Sequence, residues 1–217
     1  MIRVVVADDH HLVRQGIRAL LEKAQDIQVI GEAEDGQEAV ELVGRLTPDI
    51  LVTDISMPRL NGTEALKLVR KLCKATQVVI LSMYSDLSLV RQALRYGAGG
   101  YVLKRSVTDE LLLAVRAANR GETYLSPAVS NSILTDFLAH PTEAELAEPM
   151  DRLSPRERQV LQLIAEGNTN HHIAEIMQIS TKTVEKHRTS LMAKLDTHEV
   201  VGLIRLAIKY KLIFIDE

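Results

Sequence analysis

A chain of 217 residues with 46% hydrophobic content has room for one large or two ordinary domains with packed cores. No stretch approaches the ~18 apolar residues of a membrane helix, and the first apolar run ends after about six residues, too soon for a signal peptide. One cysteine, Cys73, excludes an internal disulfide and suits a reducing cytosol, and a net charge of −3 argues against a generic nucleic-acid coat.

Strand and helix alternate along the first half. Ile2–Ala7 is a short apolar run that stops at Asp8-Asp9, and Val13, Ile17, Leu20 and Leu21 then keep helical spacing. Ile27–Ile30 reads as a second strand and Gln37–Arg45 as a helix. Ile50–Thr53 is a third strand, ending in Asp54. Helices follow at Thr63–Leu72, Leu87–Tyr96 and Val107–Asn119. Between them, the strand Val78–Leu81 stops at Ser82 and the strand Tyr101–Leu103 stops at Lys104. Such alternation predicts an α/β fold, a doubly wound parallel sheet of five strands.

Strands of that kind end at one sheet edge, so Asp8, Asp9 and Asp54 converge there with a hydroxyl from Ser82 and an ammonium from Lys104. Three carboxylates that close cannot all stay ionised without a cation among them. Oxygen-only ligands with room for water suit Mg²⁺. An acidic cluster with Ser82 and Lys104 is a pocket for a metal and a phosphoryl group.

Residues 126–151 hold five acids and no Lys or Arg, whereas Arg152–Leu212 holds ten Lys/Arg against six acids, a net +4. A helix is expected from Ser126-Pro127 to about Leu138. His140-Pro141 and Glu148-Pro149 then bracket an acidic hinge, because proline bars helix continuation and the charge favours solvation. The expected division is 1–125, a connector at 126–151, and 152–217. Limited proteolysis should cut first within residues 139–151 and release two folded fragments. First cleavage inside residues 153–195 would count against that boundary.

The last part opens on Ser154-Pro155-Arg156-Glu157, a capping box with proline at the first helical position, and Gly167 stops the helix. Thr169 caps a short helix with Ile173, Ala174 and Met177 inward. After Gln178-Ile179, Ser180 caps a third helix running to about Leu195. Two helices joined by a tight turn, the second rich in basic and polar residues, predict a helix-turn-helix in an all-α domain. On that third helix Val184, Leu191 and Leu195 point to the core, while Lys182, Glu185, Lys186 and Thr189 share an exposed face flanked by Arg188 and Lys194. His187 lies near the apolar side and reads as structural. His171-His172 diverge on their helix and lack a third metal ligand.

Asp8-Asp9, Asp54 with Met57-Pro58 and Asn61-Gly62 behind it, Ser82, and Gly97-Ala-Gly-Gly-Tyr-Val-Leu-Lys104 together resemble the receiver domain of bacterial two-component response regulators. Leu153-Ser-Pro-Arg-Glu-Arg158, Ile173-Ala-Glu-Ile176, Ser180-Thr-Lys-Thr-Val-Glu-Lys-His-Arg188 and Leu191-Met-Ala-Lys-Leu195 resemble the LuxR-type DNA-binding domain. The pairing is that of NarL/FixJ-type response regulators. The resemblance implies strand order 2-1-3-4-5, Asp54 as phosphoacceptor, and Mg²⁺ held by Asp9, Asp54 and the Ser56 main-chain carbonyl, with Asp8 acting through water. It implies Ser82, Tyr101 and Lys104 as catalytic and switch residues, Tyr101 being the rotameric aromatic. Phosphorylation should draw Ser82 in, let Tyr101 turn inward, and lead to homodimerisation and promoter binding. DNA contacts are expected from Lys182, Thr183, Glu185, Lys186, Arg188, Thr189 and Lys194. The implied partner is a sensor histidine kinase, and the only catalysis implied is the chain's own phosphoryl transfer and dephosphorylation.

Three other classes of function fit the residues less well. A haloacid-dehalogenase-type phosphohydrolase needs an Asp two residues after its nucleophile, where this chain has Ser56. A protein-interaction output would lack salt-sensitive duplex binding by residues 152–217. A small-molecule sensor would want an apolar pocket, and the chain has two Phe and no Trp. Glu185 stands where the resembling family is often basic or polar. It either accepts from a base or is held in a salt bridge with Lys182 or Arg188. Leu113 on the fifth helix and Val201 and Ile208 on the last one lie off the core stripes, as self-association surfaces or as scattered aliphatics.

Overall fold

A computed structural model describes residues 1–139, 149–197 and 199–214, so most of the acidic hinge lies outside the described residues. Contacts divide the chain into two compact units, Met1–Thr142 and Glu143–Glu217. No helix among the described residues is long and apolar enough to cross a membrane.

In the first unit β1 (Ile2–Ala7), α1 (His11–Glu22), β2 (Ile27–Ala33), α2 (Gly36–Leu46), β3 (Ile50–Asp54), α3 (Gly62–Leu72), β4 (Gln77–Ser82), α4 (Leu87–Arg95), β5 (Gly100–Leu103) and α5 (Val107–Asn119) alternate. With a further strand β6 (Tyr124–Leu125), the strands are parallel, in the order β2-β1-β3-β4-β5-β6. Val4, Val6, Ile50, Val52, Val79 and Leu81 face Ile17 and Leu21 of α1 and Leu111, Val115 and Ala118 of α5. Alternate residues such as Val5, Leu51 and Ile80 are equally buried on the other face. Burial on both faces explains the unbroken apolar runs, since helices cover a parallel sheet on either side.

The sheet departs from expectation in having six strands. The extra one, β6 (Tyr124–Leu125), pairs Tyr124 with Gly100 and Leu125 with Tyr101. Ser126 continues the pairing: its N–H donates to the Tyr101 carbonyl at 3.0 Å, and its Oγ accepts from Leu103 N at 3.0 Å and meets the Glu110 carboxylate. Helix α6 (Pro127–Ala139) follows and packs on α4, with Val129 buried.

Helix α1 also differs from its expected stripe. Leu12 and Val13 are exposed, and Arg14 takes a buried position beside Ile17 and Leu21.

The second unit contains α7 (Pro155–Ala165), α8 (Asn170–Met177), α9 (Thr181–Lys194) and α10 (Val200–Lys209). Ser154 and Glu157 form the capping box, Thr169 caps α8, and Ser180 caps α9 through Thr183 N. Leu161, Ile164, Ile173, Met177, Val184 and Leu191 close one core, which Leu203 and Ala207 of α10 complete. Val200 and Val201, in the first turn of α10, are both exposed. Leu113 of α5 is exposed, as its position off the core stripe implied.

Candidate functional site

The ends of β1, β3, β4 and β5 meet, as parallel strands require. Asp8 and Asp54 are buried, and Asp9 is partly exposed. Lys104, in the 3₁₀ turn after β5, reaches across to both buried acids: Nζ lies 2.8 Å from Asp8 Oδ2 and 2.8 Å from Asp54 Oδ2. Asp8, Asp9, His10 and Asp54 each offer one ligand atom, and these atoms lie within 4.8 Å of one another. His10 joins the three acids here, a placement that no sequence spacing marks. Its Nδ1 sits 2.9 Å from Asp9 Oδ1, and its N–H donates to Asp8 Oδ1 at 2.9 Å. Asp8 therefore holds the turn into α1 without being the helix cap itself, since the capping position is His10.

Burial pushes the Asp54 carboxyl up to about 6, against the pull of Lys104 and the Ser56 backbone N–H. For Lys104, burial lowers the ammonium, but Asp54 and Asp8 more than offset it and hold it above its ordinary value.

The loop after β3 shapes this pocket from below. Arg59 has φ +63°, Asn61 caps α3 through Glu64 N, and Gly62 N donates to Ile55 O at 3.0 Å. A Cβ on Gly62 would collide with the Asp54 carbonyl. The Asn-Gly step therefore lets α3 start against the strand end that carries Asp54.

Ser82 and Tyr101 are both fully buried. Ser82 Oγ accepts from Tyr84 N at 3.0 Å, and the Tyr101 hydroxyl donates to the Tyr84 carbonyl at 2.8 Å. Burial raises the phenol to about 12. An outward Tyr101 waiting to turn in is thus not what the chain holds: the ring is already inside, because the β4–α4 loop supplies a main-chain acceptor for its hydroxyl.

In the second unit α8 and α9 flank a turn at Gln178, whose φ is +52°. Lys182, Glu185, Lys186 and Thr189 are exposed together on α9. The other expected contacts are engaged within the fold. Thr183 Oγ1 lies 2.8 Å from the Ser180 hydroxyl, and Arg188 Nη1 donates to Asn170 Oδ1 at 2.6 Å. Lys194 Nζ donates to Glu157 Oε2 at 2.7 Å, and Ser190 Oγ donates to Glu157 Oε1 at 2.6 Å. Among the described residues Glu185 makes no ion pair with Lys182 or Arg188, and its main-chain carbonyl accepts from Thr189 Oγ1 at 3.0 Å. His171 and His172 both face Glu175 and join no metal cluster among the described residues.

Residues 4–116 match the family of response regulator receiver domains, and residues 151–207 match the bacterial regulatory proteins of the luxR family. The chain is 39% identical over 216 residues to the oxygen regulatory protein NreC of Staphylococcus haemolyticus (strain JCSC1435), covering 97% of this chain and 99% of that one. A LuxR-family two-component response regulator from Aurantimonas sp. SI85-9A1 superposes with a TM-score of 0.62 at 34% identity, over 64% of this chain and 99% of the other. RcsB of Salmonella typhimurium gives a TM-score of 0.59 at 28% identity, over 94% and 97% of the two chains. RcsB solved in complex with DNA gives 0.58 at 29% identity, over 94% and 96%. Buried acids bridged by a lysine, an exposed basic helix and these likenesses have one reading: the chain belongs to the NarL-type two-component response regulators, DNA-binding transcription regulators that join a receiver to a LuxR-type helix-turn-helix domain.

Proposed function

We propose that Asp54 accepts a phosphoryl group from a phosphohistidine of a partner sensor kinase, and that the modified receiver promotes dimerisation and promoter binding. The observation that carries this reading is the 2.8 Å reach of Lys104 to both Asp54 and Asp8. Asp8, Asp9 and Asp54 fit Mg²⁺, because their oxygens cluster within 4.8 Å and a small hard cation takes carboxylates with water. Asp9, Asp54 and the Ser56 carbonyl would hold it, with Asp8 acting through water. When bound, Mg²⁺ supplies charge neutralisation for the phosphoryl oxygens.

The chain's own residues do the rest. An Asp54 oxygen attacks phosphorus, the P–N bond to the donor imidazole breaks, and its electron pair returns to the ring nitrogen. Lys104 stays a cation and exchanges its contact with Asp54 for the new phosphoryl oxygens, which carry about −1.5 to −2 charge. The same charge draws the Ser82 hydroxyl from Tyr84 N. Tyr84 also holds Tyr101, so the β4–α4 loop shifts with the buried ring and the α4–β5–α5 surface changes.

Lys182, Glu185, Lys186 and Thr189 are the residues we assign to direct DNA contact. Arg188, Thr183 and Lys194 orient the helix, given their internal partners. The test is duplex binding by the full chain with and without Mg²⁺ and an acyl phosphate donor. Affinity should rise with phosphorylation and fall with salt. Identical, salt-insensitive binding in both arms would remove the proposal.

Glu185 would be repelled by phosphates, so we assign it to a cytosine amino group, which a carboxylate accepts from. Glu185→Ala should relax preference at one position per half-site by about 1–3 kcal/mol, measured by selection from random duplexes. Lys186→Ala should instead weaken all sequences and flatten the salt dependence. An unchanged base preference in Glu185→Ala would refute the base contact.

A further inference from the structure

Arg14 is a buried charge that the phosphoryl chemistry leaves unused. Its side chain is 5% exposed, and a guanidinium stays ionised at any working pH, so it is buried only with partners. It has three. Nη1 donates to the Asp8 carbonyl at 2.6 Å, Nε to Glu32 Oε2 at 3.3 Å, and Nη2 to Glu34 Oε1 at 2.9 Å. Glu32 is braced in turn by Arg18 at 2.6 Å and Gln15 at 2.8 Å.

The carbonyl that Arg14 holds is a particular one. Asp8 N still bonds to β2, at 3.2 Å from Ala33 O. Beyond Ala33 the chain turns away to cap α2 with Asp35. Arg14 takes over where the strand leaves off, anchored by Glu32 of β2 and by Glu34 just past its end. The peptide unit carrying the Asp8 carbonyl also carries the Asp9 N–H, and it is planar and rigid. Fixing that carbonyl fixes the direction in which Asp9 leaves β1. The Asp8 side chain needs no such help, because Lys104 and His10 N already hold it.

We infer that Arg14 is a positioning residue that sets the divalent-cation affinity of the Asp8–Asp9–Asp54 cluster by locking the Asp8–Asp9 peptide against the end of β2. This rests on the reading of that cluster as the Mg²⁺ site. Within the network Arg14 and Arg18 face Glu22, Glu32 and Glu34, so removing the Arg14 charge would by itself favour a nearby cation, and a weakened affinity reports orientation rather than net field. Residues that orient metal ligands typically change affinity 10- to 100-fold when removed.

The experiment is calorimetric titration of the full chain with MgCl₂, paired with the Mg²⁺ dependence of labelling by a small phosphodonor. Arg14→Met should weaken Mg²⁺ binding about 10-fold. It should also raise half-saturating Mg²⁺ by the same factor, with the labelling rate at saturating Mg²⁺ kept within about 2-fold, a split that a loss of packing alone would not produce. Arg14→Lys keeps the charge but not the fork, so its loss should be smaller, about 3-fold, and it decides the matter if Arg14→Met does not fold. Wild-type Mg²⁺ affinity in a folded Arg14→Met or Arg14→Lys protein overturns the inference. Asp9→Asn separates the two levels: if it leaves Mg²⁺ binding intact, the metal reading fails and takes this inference with it.

Discussion

Asp54→Asn should abolish label transfer from a phosphodonor while leaving the receiver folded and, in chelated buffer, more stable than the wild type. The loss follows from chemistry: an amide keeps the shape of the carboxylate but cannot attack phosphorus. The gain follows from burial, which pushes the Asp54 carboxyl up to about 6 from an ordinary 3.8. The folded state therefore binds this proton more tightly than the unfolded chain. Stability on this account is fully present below about pH 4 and is lost as pH rises through about 6. Asparagine carries no such dependence. Its advantage should be on the order of 2 kcal/mol at pH 7.5 and nearly vanish at pH 3.5, read from the receiver's melting transition in EDTA. Comparable labelling of Asp54→Asn at another acid would sink the phosphoacceptor assignment. A stability gain that ignores pH would sink the electrostatic explanation.

Glu157→Ala should cost the DNA-binding unit about 3 kcal/mol, since a helix cap contributes ~1 kcal/mol and each charged hydrogen bond ~1.5–3. Glu157 closes the capping box of α7 through Ser154 N at 2.7 Å and also receives Ser190 and Lys194 of α9. One carboxylate thus ties α7 to α9, the helix assigned to DNA contact. Burial raises its carboxyl, but the hydrogen bonds from Lys194, Ser190 and Ser154 outweigh burial and hold it at about 2, well below the ordinary 4.5. A depressed acid contributes stability above its unfolded value. That contribution should fade as pH falls from about 4.5 through 2, and only in the wild type. Glu157→Gln keeps the shape and loses the charge, so it should fall between. Equal melting temperatures for wild type and Glu157→Ala would show that α9 is held by apolar packing alone.

Much of this architecture was legible because its signals are local. Apolar runs ending in Asp, Ser and Lys mark strand ends, and parallel topology then brings those ends together without further information. Caps at Ser154, Thr169 and Ser180 fix helix starts for the same reason: each needs only its own next turn. What escaped the sequence depends on partners far along the chain. Arg14 looks like an ordinary polar interruption until Glu32, Glu34 and the Asp8 carbonyl surround it. Lys194 reads as one more basic residue flanking the DNA face, but Glu157, 37 positions away, claims it. Tyr101 was expected to move inward on activation; its acceptor is a backbone carbonyl at Tyr84, which no side-chain pattern reveals. Tyr124–Leu125 is too short for any periodicity, and its strand character comes wholly from pairing with β5.

That two-residue strand has a consequence for how the receiver avoids other copies of itself. Without it, β5 would be the outermost strand, with the carbonyls of Gly99 and Tyr101 and the amide of Leu103 open to any chain that could align beside them. Tyr124 N, Ser126 N and Ser126 Oγ satisfy those three groups at 3.1, 3.0 and 3.0 Å. A row of unpaired main-chain groups on an apolar sheet is a template for edge-to-edge aggregation. The receiver match ends at residue 116, so a fragment trimmed there would keep every residue of the phosphoryl pocket and lose its guard. The residues that begin the path toward DNA thereby also keep the sheet from growing.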